Sequence, residues 1–321
     1  MAKVVCTSYL FPDEVERLEA AGHGVSIFEG EGPIPRDRLA SELTDAEALI
    51  CQLVDRIDAE LLDAAPRLRI AANVAVGYEN VDVAAARQRD IVVTNTPDVL
   101  TEATADLTFA LLLGTARRIA EADATVRRGE FPAWGLEQEL TGVDVFGKTL
   151  GIIGMGRIGS AVARRGRLGF GMRVLYHNRM RRRAAEEELG AEFVPLDRLL
   201  AESDFVCVHV PLTDETRHWI GADELARMKP TAILINVARG PVVDEAALVC
   251  ALEAGEIAGA GLDVYEREPE VHRGLLDLHE HVVLAPHLGS ATRETRHAMA
   301  KLAVDNVLAV LSGKPPLTPV N

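Results

Sequence analysis

The chain has 321 residues, 48% of them hydrophobic and 26% charged, with a formal net charge of −15 at pH 7. That length suffices for two domains with real cores. The acidic balance argues against a nucleic-acid partner, because phosphate backbones reward clustered Lys and Arg, and no apolar run in the sequence approaches the ~20 residues that span a bilayer.

The segment Met1–Cys6 runs straight into a strand-like stretch without the features of a signal peptide, so a cytoplasmic protein is expected. Cys6, Cys51, Cys207 and Cys250 stand far apart without metal-ligand spacing, so buried reduced thiols and no metal site are expected. Over residues 1–100, short apolar runs alternate with helix-like stretches. Strands are predicted at Val4–Ser8, Val25–Phe28, Ala48–Gln52, Arg69–Val74 and Ile91–Thr94, and helices at Pro12–Ala21, Pro35–Leu43, Asp58–Ala65 and Val81–Arg89. Such alternation means βα units around a parallel sheet. A long helix is predicted from about Thr101 to Arg128. Its first half is nearly all apolar or small, which buries it in a core or against a partner subunit. An irregular stretch, Gly129–Gly147, carries Trp134. A second βα series follows, with strands at Thr149–Ile153, Arg173–His177, Phe205–His209, Ala232–Asn236, Gly259–Asp263 and Val282–Ala285. A last amphipathic helix is predicted over about Thr292–Leu311.

The second series opens on Gly154-Met155-Gly156-Arg157-Ile158-Gly159, set between the strand Thr149–Ile153 and a helix-like run from Ser160 to Leu168. Strand, glycine turn and helix in that order give GxGxxG its meaning. The first glycine permits the tight turn, the second lets backbone approach a pyrophosphate, and the third lets helix pack on strand. The helix N-terminus offers N–H groups and a positive dipole end to the phosphates. The first series lacks this signature. The expected protein is therefore a two-domain α/β enzyme: two Rossmann-like or flavodoxin-like doubly wound parallel-sheet domains with the site in the cleft between them.

An acid at the end of the second strand, about 20 residues past the fingerprint, normally holds the ribose 2′-hydroxyl of NAD. Here the strand runs into Tyr176-His177-Asn178-Arg179-Met180-Arg181-Arg182-Arg183, with no carboxylate. Asn178 can bond a hydroxyl or a phosphate, and Arg179 with one of Arg181–Arg183, assigned as Arg181, can grip a 2′-phosphate. Arg182 and Arg183 also suit helical pairing with Glu186–Glu188. NADP(H) is expected over NAD(H).

Three further segments each place a reactive side chain just past a strand end: Arg239 in Asn236–Gly240, Glu268 in Asp263–Pro269, and His287 in Pro286–Ser290. Ligands of open α/β sheets sit outside those carboxyl ends. Together with Val76–Asp82, Gly154–Gly159 and Val243–Leu248, these segments resemble the D-isomer-specific 2-hydroxyacid dehydrogenase family over nearly the whole chain. The segments Trp134-Gly135 and Thr141–Thr149 and the basic Asn178-Arg179 are most similar to its glyoxylate/hydroxypyruvate reductases. Glu79, Pro241 and Leu136 depart modestly from its pattern.

The resemblance implies NADPH-dependent reduction of small 2-keto acids to D-2-hydroxy acids, with Arg239, Glu268 and His287 as the catalytic trio. It implies a substrate domain of residues 1–98 plus 288–321 and a dinucleotide domain of residues 99–287. Cofactor contacts are implied at Thr104, Met155, Gly156, Arg157, Ile158, Val210, Pro211, Thr216, Val237, Ala238, Asp263, His287 and Gly289. Substrate contacts are implied at Leu53, Val76, Gly77, Arg239, Ser290 and Trp134. Amide groups of Val76 and Gly77 suit a carboxylate, Arg239 supplies permanently charged donors, and His287 suits proton transfer with Glu268 orienting it and raising its affinity for a proton. The all-apolar helix and Trp134, which lies in a stretch that in similar reductases can reach a neighbouring subunit's active site, predict a homodimer; a tryptophan that serves packing alone is the alternative reading of Trp134. Rival expectations are another D-2-hydroxyacid dehydrogenase of the D-lactate, phosphoglycerate or phosphite type, or a nucleotide-sensing, corepressor-like binding protein.

Overall fold

The computed structural model describes residues 1–131, 133–136 and 138–321. The chain divides into two compact units, Met1–Leu100 with Thr292–Asn321, and Thr101–Ala291. In the first unit, strands β1 (Lys3–Cys6), β2 (Gly24–Ile27), β3 (Ala48–Cys51), β4 (Ile70–Asn73) and β5 (Val92–Thr94) form one sheet in the order β2-β1-β3-β4-β5. All its pairs are parallel, and the order is flavodoxin-like. Every residue of β3 and β4 is buried, as a parallel sheet covered on both faces requires. Alternate residues supply two cores. Val5, Leu49, Ala71 and Val93 meet Leu43, Leu61, Leu62 and Ala86 on one face. Val4, Ile50, Ile70 and Ala72 meet Leu18 and the helix Arg293–Leu311, through Ala303, Val304 and Val307, on the other. That packing is why the last helix belongs to the first sheet. Asp58, Asp82 and Thr292 each accept a backbone N–H three residues on and so start their helices, a cap that contributes about 1 kcal/mol.

The second unit has seven parallel strands: β6 (Thr149–Ile153), β7 (Arg173–His177), β8 (Glu192–Phe193), β9 (Phe205–Val208), β10 (Ile233–Asn236), β11 (Gly259–Leu262) and β12 (Val282–Leu284). Their order is β12-β11-β10-β9-β6-β7-β8, the dinucleotide-fold order 3-2-1-4-5-6 with one strand added. The sequence announced six of them. β8, two residues long and paired with Leu175 and Tyr176, is the one not predicted, whereas the strand added to the six-stranded order is β12.

The predicted helix Thr101–Arg128 is two helices, Thr101–Ala116 and Ile119–Arg127. Arg118 stands between them with a left-handed backbone, φ 51°. Its guanidinium bonds the Glu121 carboxylate and the Glu139 carbonyl, and the Val143 N–H takes the Ala116 carbonyl at 2.9 Å. The break is made by tertiary contacts, with no proline to mark it. The first of the two helices lies on β10, β11 and β12 and on the helix Arg157–Arg164, so the core of its own unit uses its apolar circumference. The helix after the fingerprint starts earlier than predicted, at Arg157, and passes into a π-helical stretch at Arg165–Gly169. Cys6, Cys51 and Cys207 are buried, with burial pushing the Cys6 thiol up to about 12. Cys250 is exposed, against the expectation, because it faces outward from the helix Glu245–Glu253. Among the described residues no helix is long and apolar enough to cross a membrane.

Candidate active site

The glycine fingerprint does three different things. Gly154 turns the chain after β6 with φ 100°, a conformation open chiefly to glycine. A Cβ there would stand 2.6 Å from the His209 carbonyl oxygen and 2.9 Å from Val210 Cγ1. At Gly159 a Cβ would strike the Gly154 carbonyl, so this glycine lets the helix Arg157–Arg164 lie on β6. Gly156 is the exception. Nothing stands within 4 Å of the place its Cβ would occupy, so internal packing does not require a glycine there, whereas a ligand held against the backbone would. Gly156 also begins the helix without a side-chain cap, which fits a phosphate as partner of the first turn. The neighbouring His209 ring carries a buried Nε2 with no hydrogen-bond partner among the described residues. Burial drives that ring's pKa down to about 3, keeping it neutral. These residues fit a bound dinucleotide.

The other predicted cofactor residues flank this turn. Met155 is buried, Ile158 half-buried and Arg157 exposed. The Thr216 hydroxyl donates to the Pro211 carbonyl at 2.7 Å and accepts from the Thr213 N–H at 2.8 Å, which braces the loop after β9. Past β7, Asn178 Nδ2 donates to the Met180 carbonyl at 2.8 Å, and Arg179 and Arg181 are exposed.

Arg239 follows β10 by three residues. Asn236, 1% exposed, shapes that turn: its Nδ2 donates to the Arg239 carbonyl and its Oδ1 accepts from the Ala238 N–H, both at 3.0 Å. Val237 is buried and Ala238 half-buried beside it. Gly240 lies so close to the Tyr265 backbone that a Cβ would overlap it, so the loops after β10 and β11 interlock. Glu245 and Glu266 reinforce that lock, each carboxylate accepting the other's N–H at 2.8 Å.

That loop presents Glu268. Its Oε1 accepts from the Tyr265 N–H at 3.0 Å, and its Oε2 lies 2.7 Å from His287 Nδ1. Burial works to raise the Glu268 carboxyl, but His287, the Tyr265 N–H and the charge of Arg239 hold it below the usual carboxylate value. An ionised Glu268 accepts, so Nδ1–H donates and Nε2 is left for a reacting group. His287 itself has a left-handed backbone, φ 55°, which costs a non-glycine residue roughly 1–2 kcal/mol. Asp263 holds it there: its carbonyl accepts the His287 N–H at 2.8 Å, and its buried carboxylate accepts from Leu288 N–H at 2.6 Å and Gly289 N–H at 2.9 Å. Burial raises the Asp263 carboxyl. The Thr104 hydroxyl donates to the Gly289 carbonyl at 3.1 Å. Thr104, Asp263 and Gly289 are thus brought together around the His287 loop, with Ser290 half-buried next to it.

In the first unit, Val76 and Gly77 follow β4. Their carbonyls accept from Asn95 Nδ2 and Asn73 Nδ2, each at 2.8 Å, and among the described residues their N–H groups bond nothing. Asn80 Nδ2 donates to the Gln52 and Asp55 carbonyls at 3.0 Å and to Asn73 Oδ1 at 3.3 Å, so the half-buried Leu53 is tied to the same edge. Trp134 is 82% exposed, so its own chain buries little of the indole. Among the described residues one close group has metal-ligand chemistry, Asp13, Glu14 and His297. There Arg17 pairs with Glu14 at 2.5 Å and His297 with Asp13 at 2.7 Å.

Sequence spacing singled out the three reactive side chains and gave their braces no role. Asn236, Gly240, Glu245 and Glu266 lie inside the segments that carry the resemblance, at Asn236–Gly240, Val243–Leu248 and Asp263–Pro269, but nothing in their spacing says which loop each one touches.

Residues 109–289 match the family described as D-isomer specific 2-hydroxyacid dehydrogenase, NAD binding domain. The chain is 55% identical over 300 residues to a glyoxylate reductase of Thermococcus onnurineus, covering 92% of this chain and 89% of that one. A solved structure from Thermus thermophilus superposes with a TM-score of 0.93 at 47% identity, covering 99% of this chain and 100% of that one. An NADPH-dependent glyoxylate/hydroxypyruvate reductase of Sinorhizobium meliloti, solved with NADP and malonate, superposes with a TM-score of 0.85 at 40% identity, covering 99% and 96%.

Proposed function

This chain belongs to the D-isomer specific 2-hydroxyacid dehydrogenase family and is an NAD(P)-dependent oxidoreductase acting on CH–OH groups; we propose that its reaction is the NADPH-dependent reduction of glyoxylate and hydroxypyruvate to D-2-hydroxy acids. The observation that carries it is the 2.7 Å bond between His287 Nδ1 and Glu268, with the charge of Arg239 acting on the same carboxylate. His287 gives a proton from Nε2 to the carbonyl oxygen. Glu268 fixes the ring and stabilises its charged form. Arg239 offers planar, permanently charged donors to the keto acid. The nicotinamide, when bound, supplies the hydride.

Met155, Gly156, Arg157 and Ile158 are assigned to the dinucleotide's diphosphate side, and Val210, Pro211 and Thr216 to its adenine side; Thr104 is assigned to the cofactor from its place beside Gly289. Val237, Ala238, Asp263, His287 and Gly289 are assigned to its nicotinamide end. Asn178, Arg179 and Arg181 are assigned to the 2′-phosphate. NADPH is supported by the carboxylate-free turn after β7 and by the S. meliloti reductase described with NADP. Leu53, Val76, Gly77, Ser290 and Trp134, with Arg239, keep the substrate-binding role that the resemblance implies. A homodimer is supported by the exposed Phe131, Trp134, Leu136 and Phe146, at 76%, 82%, 93% and 75%, apolar side chains that a second copy would cover; the cytoplasmic location expected from the sequence is kept as part of this proposal.

The test is a panel of glyoxylate, hydroxypyruvate, pyruvate, 2-ketobutyrate and 3-phosphohydroxypyruvate with NADPH and with NADH. The highest kcat/KM is expected for glyoxylate or hydroxypyruvate with NADPH. No oxidation of either nucleotide with any keto acid would overturn the enzymatic assignment, and a clear preference for NADH would overturn the cofactor assignment.

A further inference from the structure

The turn assigned to the 2′-phosphate is held from behind by two residues outside any motif. Tyr176 is the fourth residue of β7, and its ring is buried in the core of the second unit. Its hydroxyl donates to Glu186 Oε1 at 2.7 Å and accepts the N–H of Arg182 at 2.7 Å. Glu186 lies on the helix Arg183–Leu189. Both its oxygens also accept from Arg181 Nε, at 2.7 and 2.9 Å. One phenol therefore links strand, helix and the backbone of the intervening turn, and one carboxylate anchors the arginine at that turn's end. The Arg181 and Tyr176 bonds hold Glu186 below the usual carboxylate value, so it serves as an anion.

We propose that Tyr176 and Glu186 are positioning residues for cofactor choice, fixing the Arg181 guanidinium at the adenosine-ribose end of the dinucleotide; this rests on the NADPH preference proposed above. Arg181 is anchored through Nε alone. Its two terminal nitrogens, with four N–H donors, bond nothing among the described residues, and its side chain is 62% exposed. An exposed arginine ordinarily gives up much rotamer freedom to clamp a phosphate. Anchored at Nε, Arg181 has already lost part of that freedom and keeps its forked end for the ligand. Phe at position 176 would keep the buried ring and delete both hydroxyl bonds, which makes it a clean probe.

The test is equilibrium binding of NADP⁺ and NAD⁺ to the full-length protein by calorimetry, with melting temperatures alongside. Wild type is expected to bind NADP⁺ more tightly than NAD⁺. Tyr176→Phe is expected to weaken NADP⁺ about three- to tenfold, the effect of losing one net hydrogen bond, and to leave NAD⁺ within about twofold. Glu186→Gln, which serves if Tyr176→Phe does not fold, moves the same ratio in the same direction. Arg181→Ala sets the ceiling, and adding Tyr176→Phe to it is expected to cost nothing further. If Arg181→Ala lowers NADP⁺ affinity and Tyr176→Phe does not, or Tyr176→Phe weakens both nucleotides alike, the positioning role is overturned while the cofactor assignment stands. If wild type binds both nucleotides equally, the cofactor assignment falls and takes this role with it.

Discussion

Replacing Glu268 by Gln keeps the shape of the side chain and removes one charge, so it isolates what the anion does for His287. The contact is 2.7 Å, Nδ1 to Oε2, and both side chains are 35% exposed. Hydrogen bonds to charged groups contribute about 1.5–3 kcal/mol and neutral ones about 0.5–1.5. The difference is about 1–1.5 kcal/mol, and partial exposure places this pair toward the lower figure. The Tyr265 N–H must keep an oxygen at Oε1, which turns the new amide's N–H₂ toward Nδ1. The imidazolium then loses its acceptor as well as its counter-charge. Together these give roughly a tenfold loss of kcat/KM at neutral pH, since 1.36 kcal/mol is a factor of ten in rate. Glu268 is held below the usual carboxylate value, so it stays ionised across roughly pH 5–8, the range where imidazole chemistry operates. In reduction the enzyme must enter the step with the imidazolium loaded. Steady-state reduction of glyoxylate by NADPH across that range measures this. A variant within twofold of wild type at every pH would refute the reasoning.

His287→Asn removes the acid–base group and should lower kcat about 10²–10⁴-fold; a loss below about tenfold would remove it from that role. Gly156→Ala meets nothing within 4 Å, whereas Gly159→Ala strikes the Gly154 carbonyl. The first should therefore weaken NADPH binding at least about tenfold with a nearly wild-type melting temperature, and the second should lower the melting temperature itself, overpacking costing about 1–3 kcal/mol; equal losses of stability in the two would contradict the distinction. Asp204 accepts from Thr149 N–H and from Lys229 Nζ, both at 2.8 Å, and although burial works to raise its carboxyl, those bonds hold it below the usual value. A carboxyl lowered by folding contributes stability that is full above its unfolded pKa and is lost as pH falls through its folded one. Asp204→Asn should cost about 1–2 kcal/mol in urea unfolding at neutral pH, and the gap from wild type should close in acid; a gap independent of pH would count against it.

The sheets were legible because both faces of a parallel strand are buried. Ala48–Cys51 and Ile70–Asn73 have no solvent side, so the first appears in the sequence as an unbroken apolar run and the second as one broken only at its last residue. The same logic hid β8, whose two residues are half-buried and exposed and carry no run to detect. It also hid the break at Arg118. Nothing local forbids a helix through Arg117-Arg118, and the left-handed residue is held by Glu121 and by the Glu139 carbonyl, a partner 21 residues away. Periodicity reports which face is buried and is silent on where a distant group will stop the helix.

The same asymmetry governs the site. The groups that would touch ligand stand at strand ends: Gly156 three residues past Ile153, Arg239 three past Asn236, His287 three past Leu284. Backbone direction alone puts them on one edge of the sheet, so residue type and spacing find them. The braces obey no such rule. Glu245 reaches Glu266 across 21 residues, and Tyr176 reaches Glu186 across a turn and into a helix. Each is an acid or phenol in an ordinary helix or strand, where a solvated face or a core position is the commoner outcome. What separates them from that outcome is a distance below about 3 Å to a group the chain brings back from elsewhere. Changing a strand-end residue should therefore remove a chemical role while leaving the fold, whereas changing a brace should shift the affinity or pH dependence of a residue it holds.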